Sequence, residues 1–250
     1  MSLALETRAL SKSFGDFAAN TDIDLKVARG ARHALIGPNG AGKTTLINLL
    51  TGVYTPSGGE ILLDGAPVTA LTEDERVKRG MTRTFQINTL FPRMTVLESV
   101  MLVLCEREAM TARLLSRVPR NGPLCEEAQA LLESLRLLPF ASTVTRELPY
   151  GRQRLLEIAL GLASRPRVLL LDEPAAGIPS DESHDLFDVI ARLPREVTIV
   201  FIEHDMDLVF RFAERITVLV GGRILTEGTP DEVSRDARVR EVYLGEAVDG

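Results

Sequence analysis

No stretch of this chain approaches the roughly 20 consecutive apolar residues that a bilayer-crossing helix needs. Its start, MSLALETRALSKSF, also lacks the long apolar core of a secretion signal, so a cytoplasmic location is expected. Cysteine is scarce. Cys105 and Cys125 stand at no metal-ligand spacing, which argues against a disulfide framework and a zinc site and leaves two small buried or half-buried thiols. A basic excess is missing as well: 29 Lys and Arg face 35 Asp and Glu, a formal charge of -6. Charge-driven binding to nucleic acid or to anionic lipid is therefore not expected. The best local basic patch is Arg107, Arg113, Arg117 and Arg120, for which a solvated face is the commoner explanation. Low-complexity segments are lacking too.

What is present is an ordinary globular composition over 250 residues, enough for one large domain or a core carrying a smaller insertion. Short alternating runs at Leu3 to Leu10 and Ile23 to Val27, separated by Gly15 and Asn20 as breakers, predict an amino-terminal antiparallel β layer. The apolar run Ala31 to Ile36 feeds a glycine-rich turn and then TLINLL, which predicts strand, loop and helix. Glu60 to Leu63 with Asp64-Gly65 predicts a strand and a tight turn, and Thr72 with Glu75 is a capping-box pattern. From about Phe91 to Arg165 β-branched runs give way to Leu, Ala, Glu and Arg at helical spacing. Helices are expected at Glu126 to Leu138 and at Gly151 to Ser164, the latter with Leu155, Ile158, Ala159 and Leu162 on one face. Apolar strands then alternate with helices: Val168 to Leu171, a helix near Asp181 to Arg192, Thr198 to Ile202, a helix from Asp205, and Ile216 to Val220. That pattern implies a mostly parallel sheet covered on both faces, and Thr229-Pro-Asp-Glu232 predicts the start of a last helix.

The sharpest motif is Gly37-Pro38-Asn39-Gly40-Ala41-Gly42-Lys43-Thr44, followed by Thr45, which fits G-x-x-x-x-G-K-[ST] between a predicted strand and helix. Such a loop wraps a triphosphate with inward N–H groups at a helix start, Lys43 reaching the β and γ phosphates and the Thr44 hydroxyl available to Mg2+. Val168 to Leu171 ends in Asp172-Glu173. Asp172 is suited to the magnesium shell and Glu173 to orienting or deprotonating the attacking water. Paired acids at a strand end are often mere solvent-facing termini, but the phosphate loop in the same chain favours the catalytic reading.

Thr84-Phe-Gln86, LPYGRQR from Leu148 to Arg154, and Ile202-Glu-His204-Asp join GPNGAGKTT and LLLDEP in an order that resembles the ATP-binding cassette (ABC) family over essentially the whole chain. RTFQ with LFPRMTV, LDEPAAG, EHDM and VYLGEA make it similar to the subunits that power branched-chain amino-acid importers. Cassettes for urea, other small polar solutes and lipopolysaccharide look similar too. The resemblance implies ATP and Mg2+ as cofactors and a single α/β domain over residues 1–250. A P-loop core with a mostly parallel sheet and the amino-terminal β layer would occupy 1–90 and 166–250, and an inserted helical subdomain 91–165. It also implies that Gln86 senses the magnesium, the water and the membrane partner, and that His204 contacts the γ phosphate. Phe14 takes the position of the aromatic that stacks on adenine, although Phe17 is close and either ring could fill the β layer.

The same resemblance places Leu148 to Arg152, with Tyr150 and Gly151, at a helix start that contacts ATP held by a second cassette. Two transmembrane permease subunits and, indirectly, a solute-binding protein would complete the assembly on the inner face of the membrane, with Gln86 to Met94 and the helical subdomain as the permease contact. Two departures stand out. Pro149 replaces the family's usual signature serine, removing a hydroxyl and an N–H. Pro179, in Gly177-Ile-Pro179-Ser180, occupies the place of a frequent dimer-contact aspartate, and the two together favour unlike partners. The alternatives are a soluble cassette ATPase acting on nucleic acid, and a regulatory half that binds ATP without hydrolysing it.

Overall fold

The computed structural model describes residues 2–84, 90–110 and 122–245. β1 (Leu3–Phe14) turns through Gly15-Asp16 into β2 (Phe17–Ile23), with Phe14 opposite Phe17 in an antiparallel register. Asn20 was expected as a breaker and lies inside β2 instead, 1% exposed, because its side-chain amide has a buried acceptor in Gly42 O at 3.2 Å. β3 (Lys26–Ala28) pairs with β1. β4 (Arg32–Ile36), wholly buried, delivers the chain into the glycine loop and α1 (Lys43–Thr51).

β5 (Gly58–Leu63) turns at Asp64-Gly65 into β6 (Ala66–Pro67) and joins β1, so that β2, β1, β5 and β6 lie in that order with β3 beside β1. Every registered pair in this sheet is antiparallel, the layer expected at the amino end. α2 (Glu73–Lys78) opens on the Thr72/Glu75 capping box. From it Arg76, 1% exposed, donates to Leu49 O at 2.5 Å, Leu50 O at 2.6 Å, Thr69 O and Leu71 O. It thereby adds a charged donor to carbonyls at the end of α1, of which Leu49 O also accepts from the Gly52 N–H.

The second sheet runs β11-β10-β4-β9-β8-β7. β8 (Val168–Asp172), β9 (Thr198–Ile202), β4 and β10 (Arg215–Val220) are parallel, as their unbroken apolar runs predict. Edge strands β7 (Met81–Arg83) and β11 (Arg223–Gly228) carry no such run, and β11 is antiparallel to β10. Leu35, Leu46, Val168, Leu170 and Val200 are fully buried in one apolar cluster with the first sheet's Leu5, Leu10 and Ile61. Each such side chain contributes about 2 kcal/mol of burial.

The chain divides into two units, Met1–Met81 with Arg167–Pro174 and Pro194–Gly250, and Thr82–Pro166 with Ala175–Leu193. In the second, α3 (Val96–Arg107), α4 (Pro123–Ser134) and α5 (Tyr150–Ala163) pack on one another and α6 (Ser180–Ala191) packs on α5. α4 begins and ends earlier than the Glu126 to Leu138 expectation. Arg136 takes a left-handed φ of 58°, and Pro139 lies within a separate 3-10 turn at Leu138–Phe140. α5 departs from its expected single apolar face: Leu155 to Gly161 are all buried, Glu157 included, while Leu162 is half-buried. Arg107 is not on a solvated basic face, since it grips Glu127 at 2.8 and 2.9 Å and Ala163 O at 2.9 Å; the other three arginines of that patch lie outside the described residues. Cys105 and Cys125 are both buried free thiols.

α7 (Met206–Phe212) is capped by Asp205, which accepts from Asp207 N and Leu208 N. α8 (Pro230–Arg235) opens on Thr229 as expected, but it is not the last helix: α9 (Ala237–Gly245) follows.

Candidate nucleotide-binding site

The loop between β4 and α1 is shaped by two glycines that tolerate no side chain. A Cβ at Gly37 would come within 2.1 Å of Leu219 O, and one at Gly42, whose φ is 94°, within 2.5 Å of Ala19 O. Gly42 also forms the N-terminal boundary of α1 without a capping side chain, and the first turn holds no acid. A helix start of this kind leaves N–H groups and the positive dipole end for an anion. Lys43, 6% exposed, folds back so that Nζ donates to Gly37 O at 2.6 Å and Pro38 O at 2.9 Å. Those carbonyls keep a nearly buried cation within the loop.

A cleft of about 260 Å³ is lined by the loop from Asn39 to Thr45 together with Ala19, Phe17, Glu173 and His204. The acids arrive through sheet register. Asp172 closes β8 opposite Ile202 of β9, Glu173 N donates to Ile202 O at 3.1 Å, and a left-handed backbone at Glu173 (φ 48°) turns the chain off the strand. Non-glycine residues adopt that conformation at a cost of about 1–2 kcal/mol. Two residues beyond Ile202, His204 Nε2 lies 3.0 Å from Glu173 Oε1, and both side chains remain accessible. The backbone N–H of His204 donates to the buried Glu203 carboxylate at 3.2 Å.

The fold thus brings Asn39, Gly40, Ala41, Gly42, Lys43, Thr44 and Thr45 together with Glu173 and His204, while Gly37 and Pro38 supply the carbonyls beneath Lys43 and Asp172 ends the adjacent strand. Phe14 does not line this cleft. Its ring stands edge-on to Tyr54 at 5.3 Å with Lys12 Nζ 5.0 Å from its centre, whereas Phe17, 65% exposed, lies at the cleft wall. Tyr150 and Gly151 open α5 in the second unit, and Gln86 lies outside the described residues. Sequence reasoning missed Asn20, which braces the loop at Gly42 O, and Glu157, a buried acid on α5. The only signal for Glu157 is an acid three residues after Arg154 within an apolar run.

Residues 20–176 match the family described as ABC transporter, and residues 223–249 match that described as branched-chain amino acid ATP-binding cassette transporter. The chain belongs to the ABC transporter family. This cassette is 42% identical, over 97% of its length and 98% of the relative's, to the high-affinity branched-chain amino acid transport ATP-binding protein BraF of Pseudomonas aeruginosa. It is 38% identical to LivG of Escherichia coli, of the same description, over the same shares of both chains. A solved ATP-binding cassette of an ABC transporter in its ADP conformation superposes with a TM-score of 0.86 at 30% identity, over 98% of this chain and 99% of that one. A nucleotide-free cassette does so with a TM-score of 0.84 over 97% and 99%. The cassette is accordingly a nucleotide-binding ATPase with the α/β fold of that family.

Proposed function

We propose that this cassette hydrolyses ATP to power uptake of branched-chain amino acids, or of a related small polar solute, through two separate membrane permease subunits. The observation that carries the reading is the cleft in which the Asn39–Thr45 loop faces the Glu173–His204 pair. The likeness to BraF and LivG over nearly the full chain supports the solute class. No described helix is long and apolar enough to cross a membrane, in keeping with attachment to the inner face through the permeases.

In this reading Lys43 leaves the Gly37 and Pro38 carbonyls for the β and γ phosphates, and Thr44, Asp172 and Gln86 hold Mg2+, which neutralises phosphate charge when bound. Glu173 takes or orients the proton of the attacking water, and His204 steadies Glu173 and meets the γ phosphate. Phe17 is better placed than Phe14 to lie against the base. Tyr150 and Gly151, at the start of α5, complete the nucleotide site of a second cassette. The helical unit and the Gln86 to Met94 segment form the permease contact, and a solute-binding protein acts at one remove.

Lys43→Ala tests the site: Mg-ATP binding, followed by a fluorescent analogue, is expected to fall at least about 10-fold, since Lys43 supplies the cation of the loop. For the solute, membrane vesicles lacking this chain should lose energised leucine, isoleucine and valine uptake and regain it with the wild type but not with Glu173→Gln. Unimpaired binding by the lysine variant removes the site assignment; unimpaired uptake removes the substrate.

A further inference from the structure

A line of polar contacts in the second unit is not used by the nucleotide cleft. Glu157, 2% exposed in the middle of α5, accepts from Arg154 Nη1 at 3.0 Å, and its other oxygen has no hydrogen-bond partner among the described residues. The other arm of the guanidinium, Nη2, donates to Tyr150 Oη at 3.2 Å and to Ala176 O at 3.4 Å, and Tyr150 Oη donates to the same carbonyl at 3.2 Å. The guanidinium carbon also sits 5.4 Å from the centre of the Tyr150 ring. Positions 150, 154 and 157 share one helix face. Ala176 comes three residues after Glu173 in the chain and precedes Gly177, where a Cβ would lie 3.3 Å from Tyr150 Oη. One buried ion pair therefore pins the first turn of α5 against the segment that follows the catalytic acid.

We propose that Arg154, anchored by Glu157, is a positioning residue for hydrolysis: it holds Tyr150 and the Ala176 carbonyl as one piece. The helix start offered to a second cassette's nucleotide and the segment leaving Glu173 then shift together. Keeping an acid at position 157 is costly, since burial, opposed by Arg154, pushes its pKa up to about 7. Well-packed apolar side chains in place of a buried pair are often as stable or more so, which points to a role other than stability.

The proposal rests on the function argued above, and the test keeps the two apart. ATP hydrolysis by the reconstituted transporter and nucleotide binding by the cassette alone are measured for Arg154→Ala, Arg154→Lys, Glu157→Gln, Tyr150→Phe and the Tyr150/Arg154 double variant. Arg154→Ala should lower kcat about 10-fold while nucleotide affinity of the isolated cassette changes less than about twofold, and Arg154→Lys should recover part of the rate, as a charged donor still reaches Tyr150. Tyr150→Phe, which removes a single hydroxyl from an exposed ring, should lower kcat less, and the double variant should be no slower than Arg154→Ala, because both act through one chain of bonds. Unchanged kcat in folded Arg154→Ala overturns the proposal, as does equal loss of nucleotide binding and kcat. If Glu173→Gln hydrolyses ATP at the wild-type rate, the catalytic reading itself fails, whatever Arg154 does.

Discussion

His204 Nε2 stands 3.0 Å from Glu173 Oε1 because parallel pairing of β8 with β9 sets Asp172 opposite Ile202 and lets the chain run one residue past one strand and two past the other. With its proton on Nε2, the imidazole donates to the carboxylate and holds it at the cleft. Glu173→Gln keeps the shape and loses the proposed base. Hydrolysis should fall by about 10²–10⁴ with nucleotide binding retained. His204→Ala should lose less, about 10-fold, since the base survives without its partner. Single-turnover hydrolysis with the permeases present measures both.

Gly42 is packed against Ala19 O, and Asn20 Nδ2 would lie 2.6 Å from an added Cβ. Gly42→Ala should therefore deform the loop and weaken Mg-ATP binding at least about 10-fold, whereas Gly40→Ala, with φ 76° but open space around it, should cost about 1 kcal/mol of stability from backbone strain alone. Equilibrium nucleotide titration and thermal melting of the two variants separate contact from strain.

Arg76 closes the far end of the same helix. Arg76→Met preserves much of the side chain's bulk but takes the charged donor from Leu50 O and from Leu49 O, the latter keeping the Gly52 N–H at 3.3 Å. A loss of about 2–4 kcal/mol is expected in urea unfolding, because buried acceptors lose a charged donor.

Glu157 should also show itself in the pH dependence of stability. Its folded pKa is raised from 4.5 to about 7, chiefly by desolvation, so between those values the folded state holds a proton that the unfolded chain has released. Stability should then fall as pH rises from 4.5 to 7, by about 3 kcal/mol for this group, and level off above. Glu157→Gln cannot titrate. Burial lowers the His33 pKa from 6.5 to about 4, which makes stability rise with pH over that range in both proteins, so the Glu157 contribution is read as the fall in wild-type stability relative to Glu157→Gln between pH 5 and pH 8 in chemical unfolding.

Much of the candidate site's layout was legible because local sequence dictates it. A glycine run closing on Lys43-Thr44 can be placed between strand and helix from periodicity alone, and an apolar strand ending in Asp172-Glu173 announces a sheet edge. The capping box at Thr72 and the N-cap at Thr229 depend on residues at most three apart, and both formed as expected, Thr229 completing a capping box with Glu232. Asn20 reads as a breaker because an asparagine looks like a turn former until Gly42 O, twenty-two residues away, offers it a buried acceptor.

Phe14 and Phe17 show the limit most plainly. Hairpin register sets the two rings opposite each other on one face, and only the contacts with Tyr54 and Lys12 distinguish Phe14 from Phe17 at the cleft wall. Glu157 is the same lesson in the second unit, where burial on all sides of α5 gives an ordinary helical acid a raised pKa and an arginine to hold. By itself the sequence determined most of the elements, the glycine loop between strand and helix and the acids at the strand end, since those follow from neighbours along the chain. Which rings, amides and buried charges meet was settled only by tertiary packing, because desolvation and hydrogen-bond partners come from residues far away in sequence.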